Sequence, residues 1–258
     1  MKLQELLKGV DTISLDIEIS GIAYDSRKVN KGDLFICVSG YKYDGHNYIN
    51  DAIQKGAVAF IAEKDTAAAE AVIVKVESSR AVMPILASNF YGNPSQKLRL
   101  IGITGTNGKT TTTYLIKSII EASKKKVGLL GTISTQIGDK IYISSRTTPE
   151  AVDLQCLFRE MADSEIDYAV MEVSSHSLEL GRVEGCDFKI GVFTNLTQDH
   201  LDFHKTIETY RNAKKKLFYM VKGANIINVD DEHGRIIADE LKKLGTKLIT
   251  YGIDNKAD

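Results

Sequence analysis

Leu98 to Lys125 reads LRLIGITGTNGKTTTTYLIKSIIEASKK, and the fold is decided there. Leu98, Leu100, Ile101 and Ile103 form a short apolar run suited to a buried strand, while Leu115, Ile116, Ile119 and Ile120 recur at i, i+1, i+4 and i+5, one face of a helix. Between them, Gly105-Thr106-Asn107-Gly108-Lys109-Thr110 is a glycine-rich strand-to-helix turn. Glycines let backbone N–H groups turn toward an anion, and the helix N-terminus adds partial positive charge. Lys109 can reach terminal phosphates and the Thr110 hydroxyl can ligate magnesium, so the stretch reads as an ATP site. The usual spacing of such loops wants a glycine at position 103, where Ile103 stands, with Gly102 and Gly105 on either side. An ordinary glycine turn before a helix is the plain alternative. Thr111, Thr112 and Thr113 are poor helix formers; their clustering suits hydroxyls that serve phosphate or metal, although Thr112 and Thr113 can equally pack or cap.

Outward from this stretch, strands and helices alternate. Strands are expected at 98–103, 126–131, 167–173, 189–194, 225–229 and 247–251, helices at 109–124, 150–163, 206–220 and 232–244, and a hairpin at Ile133–Ile143. Such alternation predicts a mostly parallel sheet covered by helices, with ligands at the carboxyl ends of its strands. Toward the N-terminus, residues 1–91 form a separate α/β unit. Its strand candidates are Ile19–Tyr24, Asp33–Val38, Ala57–Ile61 and Val72–Val76, and its helical patterns run over Asn47–Lys55 and Ser78–Phe90, with Met1–Val10 a short amphipathic helix. The linker is 92–97, around Gly92-Asn93-Pro94-Ser95-Gln96, and the second domain is 98–258. A strand at the very end of a parallel sheet leaves an edge that needs cover, so this second domain is expected to be incomplete at Asp258.

The chain has 258 residues, 43% hydrophobic and 26% charged, enough for two globular domains. A net charge near −1 gives no electrostatic reason to expect nucleic acid. No apolar run approaches the length of a membrane span and no signal peptide opens the chain, so no membrane partner and a cytoplasmic location are expected. Cys37, Cys156 and Cys186 lack metal or disulfide spacing and read as small core residues.

Several polar residues follow buried strands. Glu172 closes Tyr168-Ala169-Val170-Met171; a carboxylate there is either a metal ligand or a structural acid in a salt bridge. Ser174-Ser175-His176 lacks the glycine elbow of a serine nucleophile. His200 and His204, with Asp199 and Asp202, suit magnesium or manganese better than zinc, or are plain loop residues. Lys214 lies in a Lys-Lys-Lys run that composition alone reads as a solvated helix face. Asp25-Ser26-Arg27 suits a phosphate or a uracil-like ring, or a surface turn.

Taken in order, these motifs resemble the Mur ligase family of bacterial cell-wall synthesis, and within it the MurE type. The resemblance runs through Asp25-Ser26-Arg27 with Gly32-Asp33-Leu34-Phe35, Tyr43-Asp44-Gly45-His46, Gly105 to Thr111, Thr147-Thr148-Pro149-Glu150, Glu172-Val173-Ser174-Ser175-His176, Thr194-Asn195-Leu196-Thr197, Asp199-His200-Leu201-Asp202-Phe203-His204, and Ala213-Lys214 with Leu217-Phe218. The phosphate loop fits the whole Mur and folylpolyglutamate ligase group. The Thr-Thr-Pro, Glu-Val-Ser-Ser-His and Asp-His-Leu-Asp-Phe-His stretches point to the MurE type.

The resemblance implies roles by position. Tyr24, Ser26 and the loop Tyr41-Lys42-Tyr43 would hold the UDP end of UDP-N-acetylmuramoyl-L-alanyl-D-glutamate; Thr147, Thr148, Ser174 and Arg182 would hold its dipeptide. Gly105, Thr106, Asn107, Gly108, Lys109, Thr110 and Thr111 would hold ATP. Thr110, Glu172 and His200 would serve two magnesium ions, joined by Lys214 as a carbamate, the modification this family makes there. Lys109, Glu172, His200 and Lys214 would be the catalytic set of a monomeric ligase. It would add a diamino acid, meso-diaminopimelate or L-lysine, through an acyl phosphate. The family's C-terminal domain, which closes over ATP and selects the amine, is absent from these residues, so the fragment alone is expected to be inactive. A different P-loop ATPase or kinase, or a non-catalytic nucleotide-sugar binding module, are the other readings.

Overall fold

The computed structural model describes residues 1–12, 15–40, 43–65 and 71–258. The chain divides into two compact units, Met1–Asn93 together with Ala151–Cys156, and Pro94–Glu150 together with Leu157–Asp258.

The first unit runs through α1 (Leu3–Leu6), β1 (Gly21–Ala23), β2 (Asp33–Ile36), α2 (Ile49–Gln54), β3 (Ala59–Ala62), β4 (Val72–Lys75) and α3 (Ser79–Phe90). Its four strands pair in parallel and in sequence order, with Ala23 opposite Phe35, Phe35 opposite Phe60 and Phe60 opposite Ile73. Both β2 and β3 are buried along their whole length, as apolar strands covered on two faces must be. Leu34, Ile36, Ala59 and Ile61 pack with Leu3 and Leu6 of α1 and with Met83 and Leu86 of α3. Phe35 and Phe60 turn the other way, onto Ile49 and Ala52 of α2. The helix expected over Met1–Val10 closes after Leu6.

From there the chain runs through β5 (Arg99–Thr104), α4 (Lys109–Ala122), β6 (Val127–Leu130), β7 (Ser134–Ile137), β8 (Lys140–Ile143), α5 (Ala151–Asp163), β9 (Tyr168–Glu172), α6 (Ser175–Glu179), β10 (Phe188–Phe193), α7 (Leu201–His204), α8 (Ile207–Met220), β11 (Ala224–Asn228), α9 (Glu232–Lys243) and β12 (Leu248–Tyr251). These strands make one eight-stranded sheet in the order β12-β11-β10-β5-β9-β6-β7-β8. Pairing is parallel from β12 to β6, and β6, β7 and β8 meander antiparallel. The mostly parallel sheet and the hairpin read from the sequence are therefore present. β5 lies between β10 and β9, with Ile103 opposite Val192 on one side and Glu172 on the other. The carboxyl ends of these three strands share one sheet edge, where ligands collect in such folds.

One local expectation fails on α4. Ile116 and Ile120 pack on Ile101, Val127 and Val170 of the sheet, whereas Leu115 is 58% and Ile119 71% exposed. The helix meets the sheet along a narrower stripe, and the neighbouring apolar positions turn outward. Among the described residues no helix is long and apolar enough to cross a membrane.

Candidate functional site

The turn from β5 into α4 is shaped by two glycines and one opposing segment. Gly108 caps α4 with φ 82°, a left-handed value that glycine adopts without a Cβ penalty. A Cβ on Gly105 would stand 1.9 Å from Thr194 Oγ1. The opposing segment follows β10: Thr106 N donates to Asn195 O at 2.8 Å and Asn107 N to Asn195 Oδ1 at 2.9 Å. Thr194 Oγ1 and Asn195 Nδ2 both donate to Asn107 O, at 2.7 and 3.1 Å. The amides of Lys109, Thr110 and Thr111 lie in the first turn of α4, where a helix leaves N–H groups without intrahelical partners.

Two lysines converge on this loop. Lys109 Nζ donates to Gly105 O and Thr106 O, both at 2.9 Å, and Lys214 Nζ donates to the same Gly105 O at 2.7 Å. Lys214 also lies 4.4 Å over the Tyr210 ring. On α8, Tyr210, Ala213, Lys214, Leu217 and Phe218 fall at i, i+3, i+4, i+7 and i+8, and all are buried. Lys214 is 1% exposed. The solvated basic face that composition suggests is thus corrected; the spacing from Tyr210 to Phe218 is the signal that finds it. Burial, reinforced by the nearby charge of Lys109, pushes the Lys214 amine down to about 6, and burial also lowers that of Lys109.

Glu172, 1% exposed at the end of β9, is surrounded by oxygen and nitrogen donors. Thr110 Oγ1 donates to its Oε1 at 2.9 Å, Thr132 N to the same oxygen at 2.8 Å, and Thr132 Oγ1 to Oε2 at 3.0 Å. With its proton on Glu172, Thr132 Oγ1 accepts from Thr147 Oγ1 at 3.0 Å. Thr148 Oγ1 donates to Glu172 O at 2.9 Å and accepts from Ser174 N at 3.1 Å. Arg182 pairs with Glu150 at 2.8 Å, and Glu150 also meets Arg146. Arg182 Nη1 also donates to Thr148 O at 3.4 Å, so Thr110, Thr147, Thr148, Glu172, Ser174 and Arg182 are one neighbourhood.

His200 is placed with His176 and Tyr210 rather than among the hydrogen bonds of Glu172. Its ring centroid lies 4.8 Å from that of His176 and 6.1 Å from that of Tyr210, and its Nε2 is 3.4 Å from the Asp199 carboxylate. Burial, then the charge of His200, lowers the His176 imidazole; His204, bonded to Ser175 at 2.9 Å, is pushed down to about 4 by burial first and His176 second. Tyr210 ties this cluster to the loop through a 3.3 Å hydrogen bond with Thr106 Oγ1. Among the described residues no three His, Cys, Asp or Glu side chains group as a metal cage. The Thr110 hydroxyl and Glu172 carboxylate are nonetheless hard oxygen donors of the kind magnesium takes, since that ion keeps several waters and needs few protein ligands.

In the first unit, Ser26 is buried in a turn capped by Asp25, whose side chain accepts from Arg27 N at 3.0 Å. The Arg27 guanidinium holds Asp25 down to about 2. Lys55 Nζ donates to Ser26 O at 2.8 Å, and the Tyr24 hydroxyl donates to Asp153. Tyr43 is exposed, and Tyr41 and Lys42 lie outside the described residues. In the sequence Asn195 lies within Thr194-Asn195-Leu196-Thr197 without a signal of its own, and nothing local marks Thr132.

Residues 103–258 match the family pattern described as the Mur ligase middle domain, and residues 18–91 that described as the Mur ligase family, catalytic domain. This chain belongs to the Mur ligase family. It is 55% identical over 262 residues to the UDP-N-acetylmuramoyl-L-alanyl-D-glutamate–2,6-diaminopimelate ligase of Alkaliphilus metalliredigens, covering 100% of this chain and 53% of that protein. Identity to the enzyme of the same name from Clostridioides difficile is 53% over 262 residues, covering 100% and 54%. A solved structure of a ligase of that name superposes with TM-score 0.83 at 31% identity, covering 100% of this chain and 54% of the other. This Mur ligase chain thus spans about half the length of the curated relatives it matches.

Proposed function

We propose that this chain carries the nucleotide-sugar-binding and ATP-binding parts of a ligase that joins 2,6-diaminopimelate to UDP-N-acetylmuramoyl-L-alanyl-D-glutamate. One observation carries the reading: Lys109 and Lys214 meet at Gly105 O, and Thr110 meets Glu172, at the carboxyl ends of adjacent strands. The activity in the relatives' names supports the choice of substrates, and of diaminopimelate over L-lysine.

The reaction is two displacements. A D-glutamyl carboxylate oxygen attacks the γ-phosphorus of ATP, the bond to the β–γ bridging oxygen breaks, and ADP leaves an acyl phosphate behind. The amine nitrogen then attacks the acyl carbon, the carbon–oxygen bond to phosphate breaks, and the amine sheds a proton. Lys109 serves the first displacement by leaving the carbonyls of Gly105 and Thr106 for the phosphoryl oxygens; an anion there favours its ammonium form and offsets the lowering by burial. The first-turn amides of α4 hold the phosphate chain. Thr110 and Glu172 would hold magnesium, with His200 as a further ligand, and the bound ion spreads phosphate charge as a Lewis acid. With its amine pushed down to about 6, Lys214 is mostly neutral at pH 7 and can add carbon dioxide. The amine nitrogen bonds to the carbon, one carbon–oxygen π bond gives its electrons to oxygen, the nitrogen sheds a proton, and a carbamate anion stands where a neutral amine was. Thr147, Thr148, Ser174 and Arg182 orient the dipeptide, while Tyr24, Ser26 and the 41–43 loop take the uridine end.

In this reading the chain binds UDP-sugar and ATP. The test is product formation by the full-length parent with ATP, magnesium and UDP-N-acetylmuramoyl-L-alanyl-D-glutamate, offered meso-diaminopimelate or L-lysine. ATP-dependent amide formation with the first is expected. No amide with either amine overturns the ligase reading, and amide with L-lysine alone overturns the choice of amine.

A further inference from the structure

Asn195 grips both backbone groups of Asn107: its Oδ1 accepts from Asn107 N at 2.9 Å and its Nδ2 donates to Asn107 O at 3.1 Å. Its own carbonyl takes Thr106 N at 2.8 Å. A carboxamide does this because it presents an acceptor and a donor side by side; a carboxylate offers only acceptors. The grip is itself anchored. Asn228 Nδ2 donates to Thr194 O at 2.8 Å, and Leu196 N donates to Asp231 Oδ2 at 2.9 Å, while Asp231 Oδ1 caps α9 through Gly234 N at 3.0 Å. The phosphate loop is therefore tied, through the segment after β10, to β11 and α9, far from it in sequence.

We propose that Asn195 is the positioning residue of the phosphate loop: it fixes the peptides on either side of Asn107 in the nucleotide-ready arrangement, and leaves phosphate contact to Lys109 and the first turn of α4. This rests on the reading of the loop as an ATP site. The Thr106 and Asn107 amides, already used by Asn195, are not phosphate donors. A loop that must be ordered at the moment of binding loses affinity by the fraction of time it is not competent.

The test uses the whole 258-residue chain, its Asn195→Ala variant and its Asn195→Asp variant. Hydrogen exchange at the Asn107 amide is measured without ligand, and ADP with magnesium and UDP are titrated by calorimetry. Asn195→Ala is expected to speed exchange at Asn107 and to weaken ADP about tenfold, with UDP unchanged. Asn195→Asp keeps the acceptor for Asn107 N but sets an oxygen against Asn107 O, so it is expected to release the peptide after Asn107 and weaken ADP, with the Asn107 amide exchanging faster than in wild type but slower than in Asn195→Ala; it also serves if the alanine variant does not fold. Wild-type ADP affinity in both variants overturns the inference, as does equal weakening of ADP and UDP, which marks a general loss of structure. If the unaltered chain binds no ADP, the ATP reading falls, and unchanged Asn107 exchange in Asn195→Ala would still sink the brace.

Discussion

Replacing Lys214 by methionine is expected to make the nucleotide-binding unit more stable, by an amount that depends on pH. In the unfolded chain this amine titrates near 10.5; in the folded protein burial, with Lys109 beside it, brings it down to about 6. Between those values the unfolded chain binds the extra proton, so wild-type stability rises with pH across that window and bears its full penalty below about 6. Each pH unit is worth about 1.4 kcal/mol, which puts the penalty at about 5 kcal/mol at pH 7. Methionine is unbranched, of similar length, and carries no proton, so it can fill the space beside Tyr210, Leu217 and Phe218. The hydrogen bond it forfeits, to Gly105 O at 2.7 Å, contributes about 1 kcal/mol, and that carbonyl keeps Lys109 as a donor at 2.9 Å. The expected gain is about 4 kcal/mol at pH 7, falling to about 1 kcal/mol at pH 9. Urea unfolding of both proteins, followed by circular dichroism in bicarbonate-free buffer at pH 7, 8 and 9, measures it. A methionine variant less stable than wild type at pH 7, or a difference that ignores pH, refutes a buried, neutral amine. Because the same lysine is the proposed carbamate, the stabilised variant of the full-length parent is expected to lose ligation.

Three further outcomes follow from the same geometry. Lys109→Ala removes the cation poised on Gly105 O and Thr106 O, and ADP affinity measured by calorimetry is expected to fall at least tenfold, with UDP unaffected. Glu172→Gln keeps an acceptor for Thr110 and Thr132 N but removes the charge. The tightening of ADP by magnesium should then shrink roughly tenfold or more, and its persistence would remove Glu172 from the metal site. Gly105→Ala puts a methyl 1.9 Å from Thr194 Oγ1, and a loss of about 1–3 kcal/mol in urea unfolding is expected; an unchanged midpoint would mean the loop yields freely.

The strand, turn and helix around Gly105 were legible because each is set by residues within a few positions of one another: an apolar run, glycines where the backbone turns, and a helical period. The same short range explains the failure on α4. A period can mark Leu115, Ile116, Ile119 and Ile120 as apolar neighbours, but only the approach of the sheet decides that Ile116 and Ile120 are covered and the other two are not. Nor could composition give Lys214 its burial. Three lysines in a row are a solvated face by default, and the default gives way only because Tyr210, Leu217 and Phe218 place the middle of that run's helix against β5 and β10.

The site itself is made by sheet order, which the sequence does not spell out. Placing β5 between β10 and β9 brings the loop after β5 against Asn195 on one side and Glu172 on the other, across sequence separations of 88 and 62 residues. Each of those residues looked ordinary or ambiguous alone: an asparagine in a turn, a carboxylate that a salt bridge would also explain. Glu172 became interpretable once its partners were hydroxyls and an amide rather than a cation, since a buried carboxylate satisfied by neutral donors keeps its charge available for another cation. The same logic separates the two lysines. Both donate to Gly105 O; burial first and the charge of Lys109 second push the Lys214 amine down to about 6, while burial lowers that of Lys109, which an arriving phosphate would draw back toward its charged form.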